Sequence, residues 1–147
     1  MVNREALIEE IELFEKLDIK YLLEELEKSS SVKCTNPSQE PIVLDDEMVE
    51  LISKNLIVLI EKDEAFAQAV EKALVEVEKR NKVADIELIN IAIGSGVTFL
   101  LCLLKCKGKG DVYGAMQNDG EIDYHLHIDD MDRDEFKEIL KECINES

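Results

Sequence analysis

The chain has 147 residues, of which 46% are hydrophobic and 35% charged, enough apolar material for a packed core in about one domain. Its 34 acidic side chains outnumber 17 basic ones, and the net charge of -17 repels both the phosphate backbone of nucleic acid and an anionic membrane surface. Acids outnumber bases two to one on both sides of residue 87, so no separate tail supplies the charge.

Asn3 is placed to cap a first helix, in which Leu7, Ile8, Ile11, Phe14 and Leu17 recur at helical spacing while Glu9, Glu10, Glu12 and Glu15 face out. Asp18 reads as a second cap before the apolar stripe Ile19, Leu22, Leu23 and Leu26, which predicts a tight bend between two helices rather than one rod. Residues 29–41 hold both prolines and a run of small polar residues, the composition of a loop. Asp45 or Asp46 restarts a helix with Met48, Leu51, Ile52, Leu56 and Leu59 inward. Within it, Leu56-Ile57-Val58-Leu59-Ile60 is apolar on every side, which requires burial or a partner interface. Asp63 caps a fourth helix, whose Phe66, Val70, Ala73, Leu74 and Val77 repeat at three and four. It ends in Lys79-Arg80-Asn81-Lys82, basic residues that suit a helix C-terminus.

Residues 88–104 carry no charge. They read as a helix buried in the core, with Gly94 and Gly96 admitting a close neighbour across Gly94-Ser95-Gly96. Two alternatives stay open. One is a pair of short strands turning at the glycines. The other is a single membrane span over 88–104, although a span usually takes about 20 predominantly apolar residues and Asn90, Ser95 and Thr98 dilute this run. Beyond it the period changes. Residues 111–117 alternate weakly, Asn118-Asp119-Gly120 supplies a turn, and residues 121–129 alternate strictly, which predicts a β-hairpin. Ile122, Tyr124, Leu126 and Ile128 share one face of its second strand, and Asp123, His125, His127 and Asp129 the other. Asp132 caps a last helix with Glu135 at the capping-box position and the stripe Phe136, Ile139, Leu140 and Cys143.

His125 and His127 are the only histidines, and on a strand they point the same way. Cys102 and Cys106 share a face if their segment is helical, so the four together match the donor set of a tetrahedral zinc site. The competing reading is buried thiols and exposed histidines on a polar strand face. Asp123, His125, His127 and Asp129 include acid–base groups, yet no nucleophile motif flanks them. Asp130, Asp132 and Asp134 alternate as in a calcium loop, but Glu135 stands where that loop needs glycine. Gly94-Ser95-Gly96 and Gly108-Lys109-Gly110 lack the spacing of a phosphate loop. The four cysteines, the fourth and first being Cys143 and Cys34, are unevenly spaced, and the first five residues turn acidic without an apolar stretch. A cytoplasmic protein with free thiols and no secretory signal is expected.

The second part of the chain has a distinctive order. Ala92, Gly94, Ser95 and Gly96 open a segment running through Leu100, Leu101, Leu103 and Leu104. A short basic linker follows, then Gly110-Asp111-Val112, the turn Asn118-Asp119-Gly120, a second strand and the helix after Asp132. Over residues 86–145 this order resembles the effector-associated constant component family of bacterial conflict systems. The resemblance implies a non-enzymatic accessory module that sits beside effector domains such as proteases, and it supplies no catalytic residues and no cofactor. The expected fold is α+β and mainly helical, with N-terminal helices, a buried Gly-Ser-Gly helix, a two-stranded hairpin and a C-terminal helix. Residues 1–84 are expected to form a helical region, with an adaptor-like module of its own left open, and residues 85–147 a helix–hairpin–helix accessory domain. The expected partner is an effector protein, a protease or signalling protein, with self-association open. The interaction candidates are Leu56, Ile57, Leu59 and Ile60 on the apolar helix and Asp123, His125, His127 and Asp129 on the hairpin, whose edge suits strand addition. The alternatives are a zinc module or enzyme built on Cys102, Cys106, His125 and His127, and the membrane span.

Overall fold

The computed structural model describes residues 2–29, 42–80, 92–93 and 133–145, and these are mostly helical. In chain order they form α1 (Arg4–Glu12), α2 (Lys16–Ser29), β1 (Ile42–Val43), α3 (Asp46–Lys62), α4 (Glu64–Lys79), β2 (Ala92–Ile93) and α5 (Arg133–Asn145).

Three helices start where the sequence places a side-chain acceptor for an otherwise orphaned backbone donor. Asn3 accepts from the Ala6 amide at 3.2 Å, Asp45 from Met48 at 2.8 Å, and Asp63 from Phe66 at 3.1 Å. Asp63 also ends α3, because its own N–H donates to the Leu59 carbonyl at 2.9 Å. One residue therefore closes one helix and opens the next. The cap expected at Asp18 is corrected. α2 begins at Lys16, and the Asp18 carboxylate, inside the first turn, reaches back to accept from the Glu15 amide at 3.0 Å. This is the returning arm of a capping box, and it sets the start of α2 earlier than an N-cap at Asp18 would. The link from α1 to α2 is the tight bend expected. It is held by Leu13 N–H to the Glu10 carbonyl at 3.2 Å and Phe14 N–H to the Ile11 carbonyl at 3.1 Å.

The apolar stripes converge on one core. Leu7 and Ile11 of α1, Ile19, Leu22, Leu23 and Leu26 of α2, Met48, Ile52, Leu56 and Ile60 of α3, and Phe66, Val70, Ala73, Leu74 and Val77 of α4 are all buried in it. Phe136 and Leu140 of α5 join the same cluster, and Ile139 and Cys143 pack partly buried against it. α2 packs most extensively on α4, and α5 on α3, while α3 also touches α1, α2 and α4. The helix beyond residue 84 thus shares its core with the four before it.

β1 and β2 pair antiparallel, Ile42 with Ile93 and Val43 with Ala92. At Ala92 and Ile93 this corrects the helix expected across residues 88–104, because both have extended backbone, and the rest of that range lies outside the described residues. The physical reason lies in the β-branched residues Ile89, Ile91 and Ile93, which alternate up to Gly94 and favour a strand over a helix. Gly94, Ser95 and Gly96, and the hairpin expected over 111–129, lie outside the described residues. No helix among the described residues is long and apolar enough to cross a membrane.

Candidate functional site

α3 is the central helix, and its neighbours decide what its apolar residues do. Leu56 and Ile60 are fully buried, Leu59 is nearly so, and Ile57 is half-buried. With α1, α2, α4 and α5 around it, α3 has its apolar run taken up by the core of its own chain. The partner-interface reading is therefore corrected for Leu56, Leu59 and Ile60, and Ile57 alone of the four keeps a partly open side. Asp123, His125, His127 and Asp129 lie outside the described residues, as do Cys102 and Cys106. Among the described residues no cluster of His, Cys, Asp or Glu is arranged to hold a metal ion.

The polar residues that the fold does bring together hold helices in place. Asn55, 1% exposed on α3, donates through Nδ2 to the Leu51 carbonyl at 2.8 Å and to the Leu140 carbonyl of α5 at 3.1 Å. Its Oδ1 is buried without a hydrogen-bond partner. Lys137 of α5 sets its Nζ 2.7 Å from Asp45 and 3.6 Å from Glu47, and Lys141 lies 3.4 Å from Glu47. Arg4 of α1 donates through Nε to the Ile60 carbonyl at 3.0 Å, one of the last four carbonyls of α3, and pairs with Glu64 at the start of α4. Arg80, the C-cap of α4, stacks its guanidinium 4.1 Å above the Tyr21 ring of α2. Its Nη1 lies 2.8 Å from Glu24, close enough for an ion pair although not aligned for a hydrogen bond.

Like charges also meet. Glu10 of α1 faces Glu78 of α4, and partial burial, together with repulsion and a hydrogen bond from that neighbour, pushes the Glu10 carboxyl above the ordinary carboxylate range.

Three depressions mark the described surface. One, of about 450 Å³, runs between α2 and α4 over Ala65, Ala69 and Ala73, rimmed by Glu25, Lys28, Lys72 and Glu76. A second, of about 380 Å³, has charged residues of α3 and α5 for all of its described lining, around Glu47, Lys137 and Lys141. The third, of about 320 Å³, sits at the α1–α2 elbow and is lined by Phe14, Glu15, Lys16, Asp46 and Val49. Leu13, which precedes Phe14 in the chain, is 81% exposed. Sequence reasoning missed this elbow, and the available signal was Leu13 itself, an apolar residue out of phase with Leu7, Ile11 and Phe14. It also missed Asn55, a polar residue set into the apolar stripe between Ile52 and Leu59. Comparison of the chain with protein-family models, with curated proteins and with solved structures gives no match.

Proposed function

We propose that this chain is a non-enzymatic accessory or adaptor protein of a bacterial conflict system, cytoplasmic, and acting through contact with an effector such as a protease or signalling protein. The resemblance over residues 86–145 supplies the system. The observation that carries the reading is the use the bundle makes of its polar groups. Asp45 and Asp63 cap helices, Asp18 closes a helix start, and Asn55 ties α5 to α3. Arg4, Lys16, Arg80, Lys137 and Lys141 bridge to acids on other helices of the same chain. These groups build a scaffold, and the surface left outward is rich in carboxylates. Such a scaffold supports recognition of another protein by shape and charge. The test is affinity purification of the full chain from its native cells, without detergent, followed by mass spectrometry. A stoichiometric protein partner supports the reading, and recovery of the chain alone overturns it.

A further inference from the structure

The α1–α2 elbow joins two features that usually occur apart. Leu13 is the most exposed of the large apolar residues among those described, at 81% against 50% for Val75 and 39% for Val43. Its position is fixed rather than loose, since its own N–H and that of Phe14 are bonded to carbonyls in the last turn of α1. Phe14, the next residue, and Val49 of α3 are partly buried against the core and line the groove. A solitary exposed leucine is ordinary, but this one directly precedes Phe14, which lines a groove together with Val49, and an exposed apolar residue next to a partly apolar groove is a docking geometry.

The rim decides the occupant. Among the described residues Lys16 is the one cation lining the groove, and its Nζ lies 3.8 Å from Asp46, whose side chain is fully exposed. Glu15 adds a second rim carboxylate, and Glu12, exposed, precedes Leu13. The groove is therefore apolar within and negative around. A second copy of this chain brings the same charge of -17 and is repelled, as are nucleic acid and anionic lipid. A segment with Lys or Arg flanking one or two bulky apolar anchors satisfies both features, its anchors against Leu13, Phe14 and Val49 and its cations against Glu12, Glu15 and Asp46.

We propose that the elbow formed by Leu13, Phe14, Val49 and Asp46 is the docking site for a basic, apolar-anchored peptide segment of the partner protein. This rests on the adaptor reading and adds its surface and the chemistry of its partner. The probe is a short fluorescent amphipathic Lys/Leu peptide titrated into the full chain at physiological salt, with the matching Glu/Leu peptide as its counterpart. The Lys/Leu peptide binds and the Glu/Leu peptide does not. Leu13→Ser, which leaves the charge unchanged, weakens binding about tenfold or more, the loss implied by uncovering a buried leucine, and Asp46→Lys weakens it about fivefold by turning an attractive contact with the peptide's cations into a repulsive one. Glu71→Lys, the same charge change on the exposed side of α4, weakens it less than about twofold by losing only diffuse attraction. Equal losses for Asp46→Lys and Glu71→Lys, no loss for Leu13→Ser, binding of both peptides alike, or no binding at all overturns the proposal. Capture from native cells separates the two readings. A partner retained by the Leu13→Ser chain removes the elbow and leaves the adaptor reading standing. A partner absent from the wild-type chain removes the adaptor reading itself.

Discussion

Asn55 offers the sharpest test of how α5 is seated, because two replacements of nearly the same shape should differ widely in cost. Its Nδ2 contacts the Leu51 and Leu140 carbonyls, and its Oδ1 is buried without a partner. Each of those carbonyls already accepts the amide four residues ahead in its own helix. Asn55→Leu, with the same number of branching heavy atoms, therefore strands no acceptor and removes an unsatisfied oxygen whose burial costs about 1–3 kcal/mol. The loss of two secondary hydrogen bonds, each worth about 1 kcal/mol net, offsets that gain, and the extra methyl volume adds some strain. The leucine variant should therefore lie within about 1 kcal/mol of wild type. Asn55→Asp keeps the shape, but at neutral pH it aims a buried carboxylate at two carbonyl oxygens. An uncompensated buried charge costs about 3–5 kcal/mol, or about 10 °C in melting temperature for a chain of this size.

The pH dependence gives that prediction its sign. The introduced carboxyl titrates near 3.9 in the unfolded chain and higher in the fold, where burial favours its protonated form. The native state then binds more protons than the unfolded state, so stability relative to wild type falls as pH rises, by up to about 1.4 kcal/mol per pH unit, and levels off above the folded value. Urea unfolding of wild type and both variants from pH 5 to pH 8, above the isoelectric point of about 4.4, isolates this trend. An Asn55→Asp variant as stable as wild type at pH 8, or a deficit that does not change with pH, would refute the buried placement of Asn55 against Leu140.

Three other outcomes are open to the same measurements. Phe136→Ala, at a fully buried position, should cost about 3–5 kcal/mol and expose α5 to trypsin at Lys137 and Lys141 before the rest of the bundle. Asp63→Ala should cost about 1–2 kcal/mol in urea unfolding, since the Phe66 amide loses its acceptor while the backbone bond that ends α3 is retained. Glu78→Gln should raise the melting temperature slightly at neutral pH. Glu10, raised in the fold, disfavours folding as it ionises, so the gain appears as pH rises through its folded value and disappears in acid.

The parts of this fold legible in the sequence are those written locally. Asn3, Asp45 and Asp63 announce helix starts because a cap bonds an amide three residues away. The stripes from Leu7 to Val77 are read from a period of 3.6 that the core then enforces. Asp18 lies in the first turn of α2 rather than at its cap, because aspartate is favoured in both places and spacing alone does not separate these roles. The run from Leu56 to Ile60 announced neighbours on every side without saying whose they were. Residues 88–104 had no charge to reveal a period, so length suggested a helix where the alternation of isoleucines carried the strand at Ala92 and Ile93. The Asn55–Leu140 contact joins residues 85 apart, and nothing local encodes it. Leu13 was passed over because a rule that sorts residues into a core stripe has no place for one left outside.

The arrangement of cations bears on how a chain of net charge -17 stays folded at all. Several bridges cross between helices: Arg4 from α1 to Glu64, Lys16 from α2 to Asp46, Arg80 from the end of α4 to Glu24, and Lys137 from α5 to Asp45. Exposed pairs of this kind contribute only about 0.2–1 kcal/mol each, and salt weakens them. The uncompensated carboxylates repel over longer distances, and salt weakens that repulsion more, because the Debye length shrinks from about 30 Å at 0.01 M to about 8 Å at physiological strength. Two opposing slopes are thus in play, and the twofold excess of acids decides between them. The melting temperature should rise from low to physiological salt, against the direction that the ion pairs alone dictate. Calorimetry in sodium chloride at neutral pH reads the sign directly. A fall over that range would mean that the interhelical bridges outweigh the self-repulsion.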